Sequence, residues 1–142
     1  MIRQARWIAP AGAERYKPCH FRAEKVLEFA TVPERLTVQV ACDGNYLLEV
    51  NGQRVGRGPA RGTQTVAYYD EYDVAPFLHE GANRFSVLCV CMNYPAGASQ
   101  PITPAVRMAV GGLAASDGSW STFPRTRSTT VRSSLSSIYS LT

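Results

Sequence analysis

The chain has 142 residues and a mass of 15.5 kDa, a size that fits one domain, or one piece of something longer, and is too small for a large enzyme by itself. Hydrophobic residues make up 45% and charged residues 18%, so a chain of this length can bury a core without metal ions or disulfides. Thirteen arginines and two lysines against 11 acidic residues give a net charge of only +4, and the overall electrostatic field is therefore weak. The mean hydropathy of −0.15 and the lack of a long apolar run predict neither a membrane-spanning helix nor a membrane partner.

The first residues do not read as a secretion signal. Arginines near the N-terminus are followed by Pro10 and Gly12 instead of an apolar segment, so a cytoplasmic location is expected. The four cysteines are too few for a disulfide scaffold in a chain that can form its own core. We therefore expect free thiols at Cys19, Cys42, Cys89 and Cys91.

Alternation of apolar and polar residues predicts strands from the N-terminal region onward. The first strand covers residues 21–29, and three more form a meander over residues 36–56. Asp43-Gly44-Asn45 is predicted to turn the first hairpin of this meander. Asn51-Gly52 turns the second, because this dipeptide tolerates the positive φ angles of a type I′ turn.

A glycine-rich segment interrupts this pattern. Residues 56–63 contain three glycines and Pro59, which weaken a strand, and are predicted to form a loop. β-Branched and aromatic residues predict another strand over residues 66–74. Asp73 is placed to accept backbone N–H groups of the short turn that follows.

The most apolar stretch, residues 85–92, lacks clean alternation and is typical of a central strand that is covered on both sides. A further strand is predicted over residues 105–113. About eight strands with almost no helix predict an all-β fold, a two-sheet antiparallel β-sandwich or jelly roll.

The composition changes near the C-terminus. From residue 119 to 142, 13 of 24 residues are Ser or Thr. We divide the chain into a β-sandwich over residues 1–124 and a Ser/Thr/Arg-rich tail or edge strand over residues 125–142 that leads to further domains.

Three segments carry a resemblance to a known family: YLLEVNGQRVGRGPAR at 46–61, YYDEYDVAPFL at 68–78 and GAN at 81–83. Together they resemble the N-terminal, galactose-binding-like β-sandwich of bacterial α-L-rhamnosidases. The resemblance implies a parent enzyme that hydrolyses terminal α-L-rhamnosyl linkages with inversion in a separate (α/α)₆ barrel. None of the family's catalytic motif is present here, so the resemblance implies no catalytic residue in this chain. It implies the remaining domains of the parent enzyme as partners, together with a rhamnose-containing carbohydrate.

Glu71 and Asp73 are the nearest pair of carboxyl groups that could serve inverting glycoside hydrolysis. Two positions apart on a strand, they would be separated by about 6.6 Å, within reach of the spacing this reaction needs. Neighbouring positions on an open sheet form no pocket, however, so a capping Asp73 beside a solvated Glu71 is the preferred interpretation.

The residues in and after the glycine-rich segment indicate a candidate ligand site. Arginine side chains there could bind sugar hydroxyls, with tyrosine rings as stacking faces. Asp70 shares a strand face with apolar residues and should be partly buried, so an internal arginine–Asp70 clamp is the preferred alternative. The candidate ligand-binding residues are Arg57, Arg61, Tyr69, Asp70 and Tyr72, with Tyr68 as a further stacking face.

No metal site and no cofactor are expected. Cys89 and Cys91 are expected on opposite faces of their strand, which would prevent shared ligation. Asp43 with Asn45 leaves a structural calcium ion as a less favoured alternative, since calcium needs six or more oxygen ligands.

The leading hypothesis is a non-catalytic accessory β-sandwich of an α-L-rhamnosidase-like glycoside hydrolase. One alternative is a stand-alone carbohydrate-binding module that recognises sugars through tyrosines and arginines. The other is an arginine-mediated nucleic-acid-binding domain. Asp70, Glu71 and Asp73 would flank its groove, and no nucleic-acid partner is expected.

Overall fold

The computed structural model describes residues 2–14, 17–59, 68–91 and 105–124. Two short 3₁₀ helices cover Ile2–Gln4 and Ala75–Phe77 within these ranges. Nine strands account for most of the described residues: β1 (Cys19–Phe29), β2 (Thr37–Cys42), β3 (Asn45–Val50), β4 (Gln53–Gly58), β5 (Asp70–Asp73), β6 (Gly81–Cys91), β7 (Val106–Val110), β8 (Ala114–Ala115) and β9 (Ser121–Pro124).

The strands form two antiparallel sheets that enclose one main core. The first sheet has the order β4-β3-β6-β1-β9 and the second has the order β5-β2-β7-β8. Their inward side chains form a single large apolar cluster, in which Phe21, Tyr46 and Phe85 are the largest fully buried side chains. The predicted all-β, two-sheet antiparallel sandwich is therefore confirmed.

The longest ladder joins β1 to β6. It runs without interruption from the pair Cys19–Cys91 to the pair Phe29–Gly81. β6 lies at the centre of the five-stranded sheet, and its last seven residues are all buried. On its inner face Phe85 and Val87 enter the main core, whereas Leu88 and Val90 form a smaller apolar cluster with Leu47 on the outer face. The prediction of a central strand covered on both sides is confirmed.

The first predicted hairpin is wrong. β2 pairs with β5 and β7, whereas β3 pairs with β4 and β6, so the two strands lie in different sheets. Asp43 and Gly44 therefore connect one layer to the other, and the Asp43 N–H donates to the Ala105 carbonyl at 3.0 Å. Turn chemistry shows that the chain reverses, but it does not determine whether the next strand returns to the same sheet.

The second predicted hairpin, between β3 and β4, is confirmed. Asn51 and Gly52 have φ angles of 53° and 77°, as a type I′ turn requires. The Asn51 side-chain amide also donates to the Asn83 Oδ1 atom at 2.7 Å and to the Phe77 carbonyl at 3.0 Å. The turn is thus tied to the fully buried Asn83 at the start of β6.

An N-terminal strap, which we define as residues 2–8, covers the outer face of the four-stranded sheet. Ile2 and Ala5 pack on Ala41 and Ala109, which are buried although they point away from the main core. The Arg107 guanidinium holds the strap by donating to the Ala5 carbonyl at 2.7 Å and to the Arg3 carbonyl at 2.6 Å. Small side chains on the sheet allow this close approach, and sequence analysis did not anticipate it.

Among the described residues, no helix is both long and apolar enough to cross a membrane. Residues 125–142 lie outside the described ranges, so the division of the chain after residue 124 stays a prediction. Residues 60–63 of the predicted loop and residues 66 and 67 of the predicted strand at 66–74 also lie outside the described ranges.

We predict that Gly52→Ala lowers the free energy of unfolding by about 1 kcal/mol, because a Cβ atom is strained at a φ of 77°. Urea denaturation of the two proteins measures the difference. Gly118→Ala is the matched control, since a Cβ atom there would meet no other atom within 4 Å. Equal stability of the Gly52 variant and the control would contradict the turn assignment.

Candidate functional site

The candidate site lies where the edge strands β4 and β5 of the two sheets come together. The structure corrects the predicted loop at 56–63, because β4 continues through Gly58. Gly56 and Gly58 pair with Leu48 and Tyr46, whose side chains enter the core, so both glycines face the interior. Their lack of a side chain serves packing between the sheets and does not mark a loop here.

A hydrogen-bonded bridge of Tyr46, Asp70 and Tyr72 joins the two sheets at this edge. The Tyr46 hydroxyl donates to the Asp70 Oδ2 atom at 2.5 Å and lies 2.9 Å from the Tyr72 hydroxyl. Because the Tyr46 proton goes to the carboxylate, the single hydroxyl proton of Tyr72 is shared between two acceptors. These are the Tyr46 oxygen and the backbone carbonyl of Arg57, which lies 3.1 Å away.

Glycine is required beneath this bridge. A Cβ atom at Gly56 would overlap the ring of Tyr72, and one at Gly58 would overlap the Asp70 carboxylate and the Tyr46 ring. The side chains of β5 therefore occupy the space that side chains on β4 would otherwise fill. The spacing Gly-Arg-Gly in the sequence thus reflects two inward glycines around one outward arginine.

Burial and hydrogen bonding change the acid–base properties of the bridge. Burial, followed by the hydrogen bonds to Asp70 and Tyr72, raises the pKa of Tyr46 far above its ordinary value. Burial also raises the pKa of Tyr72. Both phenols therefore stay protonated and act as hydrogen-bond donors throughout the physiological pH range.

The structure brings some of the predicted ligand-binding residues together and separates others. Asp70 and Tyr72 meet in the bridge, and both are half-buried. Arg57 lies on β4 between the two inward glycines, so its exposed side chain projects from the opposite face, and only its carbonyl reaches the bridge. Tyr69 is 48% exposed and precedes β5. Arg61 lies outside the described residues.

A shallow, open depression adjoins the bridge. It is lined by Tyr68, Tyr69, Asp70 and Glu71. The two tyrosine rings are 54% and 48% exposed, so they are available as flat apolar surfaces beside two carboxyl groups. An arrangement of this kind can stack against a ring and accept hydrogen bonds from hydroxyl groups.

The predicted partial burial of Asp70 is found, but its described partner is a phenol that sequence analysis did not consider. The arginine–Asp70 clamp stays a prediction, because Arg61 falls outside the described ranges. The sequence did contain a signal from which the role of Tyr46 could have been predicted. It begins the inward series Tyr46, Leu48 and Val50, and a buried tyrosine hydroxyl needs a polar partner.

Glu71 and Asp73, the pair considered for hydrolysis, are both held by the fold. Glu71 accepts from the Gln39 side-chain amide at 2.5 Å across the β2–β5 ladder. Asp73 Oδ1 accepts from the Leu36 N–H at 3.1 Å and from the Ala75 N–H at 3.2 Å, which confirms its predicted capping role. These bonds from Leu36 and Ala75 lower the pKa of Asp73.

The expected separation of Cys89 and Cys91 is wrong. Residues two positions apart on a strand share a face, and both thiols enter the main core. All four cysteines are free thiols, as predicted. In the part of the chain that the structure describes, no group of three or more His, Cys, Asp or Glu side chains is arranged to hold a metal ion.

We predict that Gly58→Ala destabilises the chain by about 2 kcal/mol or more, because the added methyl group forces the Asp70 carboxylate and the Tyr46 ring apart. Thermal unfolding measures the loss. Gly112→Ala, where a Cβ atom would have no neighbour within 4 Å, should unfold like the parent chain. A Gly58 variant as stable as that control would rule out the close approach of the two sheets.

Tyr46→Phe is predicted to cost about 2 kcal/mol at neutral pH, since it removes the hydroxyl that binds the Asp70 carboxylate. The pKa of Tyr46 is raised in the folded state, so its contribution is fully present below about pH 10, where the unfolded phenol also keeps its proton, and declines at higher pH. Denaturant midpoints measured from pH 7 to 11 should therefore fall more steeply for the parent chain than for the variant. Parallel curves would contradict the buried, protonated phenol.

No protein-family model matches the chain, and no curated protein matches it. Solved structures do. The family 78 rhamnosidase of Bacillus sp. GL1 matches 85% of this chain with a TM-score of 0.72 and 26% sequence identity. The α-L-rhamnosidase of Dictyoglumus thermophilum matches 85% with a TM-score of 0.67 and 19% identity. The enzyme of Streptomyces avermitilis, solved with L-rhamnose, matches 90% with a TM-score of 0.59 and 17% identity.

The chain spans a small part of each of these proteins: 13% of the Bacillus enzyme, 16% of the Dictyoglumus enzyme and 13% of the Streptomyces enzyme. The first two matches each cover 85% of this chain. The resemblance that the sequence suggested is confirmed: this chain is similar to one β-sandwich portion of α-L-rhamnosidases.

Proposed function

We propose that this chain is a non-catalytic β-sandwich domain of an α-L-rhamnosidase-type glycoside hydrolase, and that it packs against the other domains of that enzyme. The observation that carries the proposal is the match to the family 78 enzyme of Bacillus sp. GL1, which covers 85% of this chain but only 13% of the enzyme. A domain that occupies so small a part of an enzyme leaves most of the polypeptide to form the site of reaction.

The hydrogen bonds that the acidic side chains on β5 accept support a non-catalytic role for the chain. Inverting hydrolysis needs one protonated carboxyl group and one carboxylate about 6.5–9.5 Å apart, with space for a water molecule between them. Asp73 has a lowered pKa and binds two backbone N–H groups, so it is unsuited to donate a proton. Glu71 is occupied by Gln39, and both acids lie on an edge strand instead of in a cleft.

One feature favours a second function, carbohydrate binding. The exposed rings of Tyr68 and Tyr69 and the carboxyl groups of Asp70 and Glu71 share one depression. A neutral sugar offers an apolar ring face for stacking and hydroxyl donors for carboxylates. The Streptomyces enzyme was solved with L-rhamnose, which makes rhamnose the first sugar to test.

The leading proposal predicts that the purified 142-residue chain neither hydrolyses 4-nitrophenyl α-L-rhamnoside nor gives saturable heat when titrated with L-rhamnose. Calorimetry at millimolar sugar tests the binding part, with Tyr69→Ala and the distant Phe123→Ala as matched variants, since both rings are about half exposed. Saturable heat that Tyr69→Ala removes and Phe123→Ala leaves unchanged would establish the carbohydrate-binding module instead. Hydrolysis that Glu71→Gln abolishes would contradict the non-catalytic role.

The accessory role is tested with the complete reading frame that encodes this chain. The full protein should hydrolyse the rhamnoside, and deletion of residues 1–124 should lower its thermal midpoint because a packed domain is removed. A full protein without rhamnosidase activity, or one whose stability and activity are unaffected by the deletion, would refute the proposal.

A further inference from the structure

Four thiols from three strands gather at one end of the main core. Cys19 begins β1, Cys42 ends β2, and Cys89 and Cys91 are the last two inward residues of β6. The Cys42 thiol is within hydrogen-bonding contact of both Cys89 and Cys91. The proposed function assigns no role to this group of thiols.

Two of these thiols face each other across a ladder. Cys19 and Cys91 are direct partners in the antiparallel register of β1 and β6. Cross-strand partners have Cα atoms about 4.5–5.5 Å apart, within the range of about 4.4–6.8 Å that a disulfide spans. Both side chains point to the core side of the sheet, so a bond between them needs no change in register.

The two thiols differ in their access to solvent. Cys19 is partly exposed, whereas Cys91 is 2% exposed, and Cys42 and Cys89 are also buried. A reagent from solution therefore meets Cys19 first. Cys91, directly opposite, is placed to react next.

We propose that Cys19 and Cys91 form an oxidisable dithiol, which small-molecule disulfides such as oxidised glutathione convert to a cross-strand disulfide. In the first step the Cys19 thiolate attacks one sulfur of the oxidised glutathione, forms a mixed disulfide and releases one glutathione thiolate. In the second step the Cys91 sulfur attacks the Cys19 sulfur, the bond from Cys19 to glutathione breaks, and the Cys91 proton passes to the departing glutathione sulfur. The two cysteines are oxidised by two electrons and the glutathione disulfide is reduced to two thiols.

The disulfide would link the start of β1 to the end of β6. It closes a long loop of the unfolded chain and leaves the native register in place, so it should stabilise the fold. Burial raises the pKa of Cys19, which keeps its thiolate scarce at neutral pH. The reaction is therefore best followed at mildly alkaline pH.

The test incubates the folded 142-residue chain with oxidised glutathione, then unfolds it in guanidinium chloride that contains iodoacetamide, which blocks the remaining thiols, and maps the peptides by mass spectrometry. We expect a loss of two hydrogen atoms from the intact mass, a linked Cys19–Cys91 peptide and two alkylated cysteines, Cys42 and Cys89. The thermal midpoint should rise and return to its original value with dithiothreitol.

Matched variants separate the two steps. Cys91→Ala should stop at a mixed disulfide between Cys19 and one glutathione, and Cys19→Ala should take up neither glutathione nor an internal disulfide. Four alkylated cysteines in the treated parent chain, a disulfide mapped to Cys42 or Cys89, or a parent chain that stops at the mixed disulfide would each overturn the proposal. Because these outcomes are read from the parent chain, the test does not depend on the variants being stable.

Discussion

The long antiparallel register between β1 and β6 is the constraint on which the rest of the structure depends. It sets which side chains of both strands face inward, and a slip of one residue would exchange the inner and outer faces of one strand relative to the other. β6 is buried on both faces and pairs with β3 on its other side, so the same register positions the β3–β4 hairpin. The hairpin in turn carries Gly56 and Gly58 to the place where the second sheet approaches.

At that place the two sheets are joined by polar groups instead of apolar packing alone. Asp70 enters between the sheets because Gly58 leaves room for it, as Gly56 does for the Tyr72 ring, and because Tyr46 supplies a donor to its carboxylate. The parts depend on one another: with a side chain at position 58 the carboxylate does not fit, and without the Tyr46 phenol it loses its described hydrogen-bond partner.

Sequence periodicity predicted the layers, the central strand, the type I′ turn and the cap at Asp73, because each depends on residues that are close along the chain. It failed where distant segments decide the outcome. Asp43-Gly44 signals a reversal in the chain, but the partners of β2 and β3 determine that the reversal changes sheet. Glycines 56 and 58 looked like loop residues because the side chains that fill their space come from β5.

Only part of the candidate site could be predicted, again because distant segments of the chain decide the rest. Asp70 and Tyr72 were identified from the residues themselves, whereas Tyr46 joins them only through the pairing of sheets. Arg57 was grouped with them by proximity in sequence, yet strand alternation directs its side chain away from the bridge. Whether a strand residue can join the site therefore depends more on the face of the strand that it occupies than on its distance along the chain from the other members.

Because of the strap of residues 2–8, the outer faces of the two sheets differ. On the four-stranded side the chain supplies its own cover, since Ile2 and Ala5 seal a surface of alanines and Arg107 fastens the strap through backbone carbonyls. On the five-stranded side the outward Leu47, Leu88 and Val90 are buried, and Arg22 forms ion pairs with Glu24 and Glu49. On the four-stranded side, the strap hides the alanine surface from any neighbouring domain for as long as it stays in place.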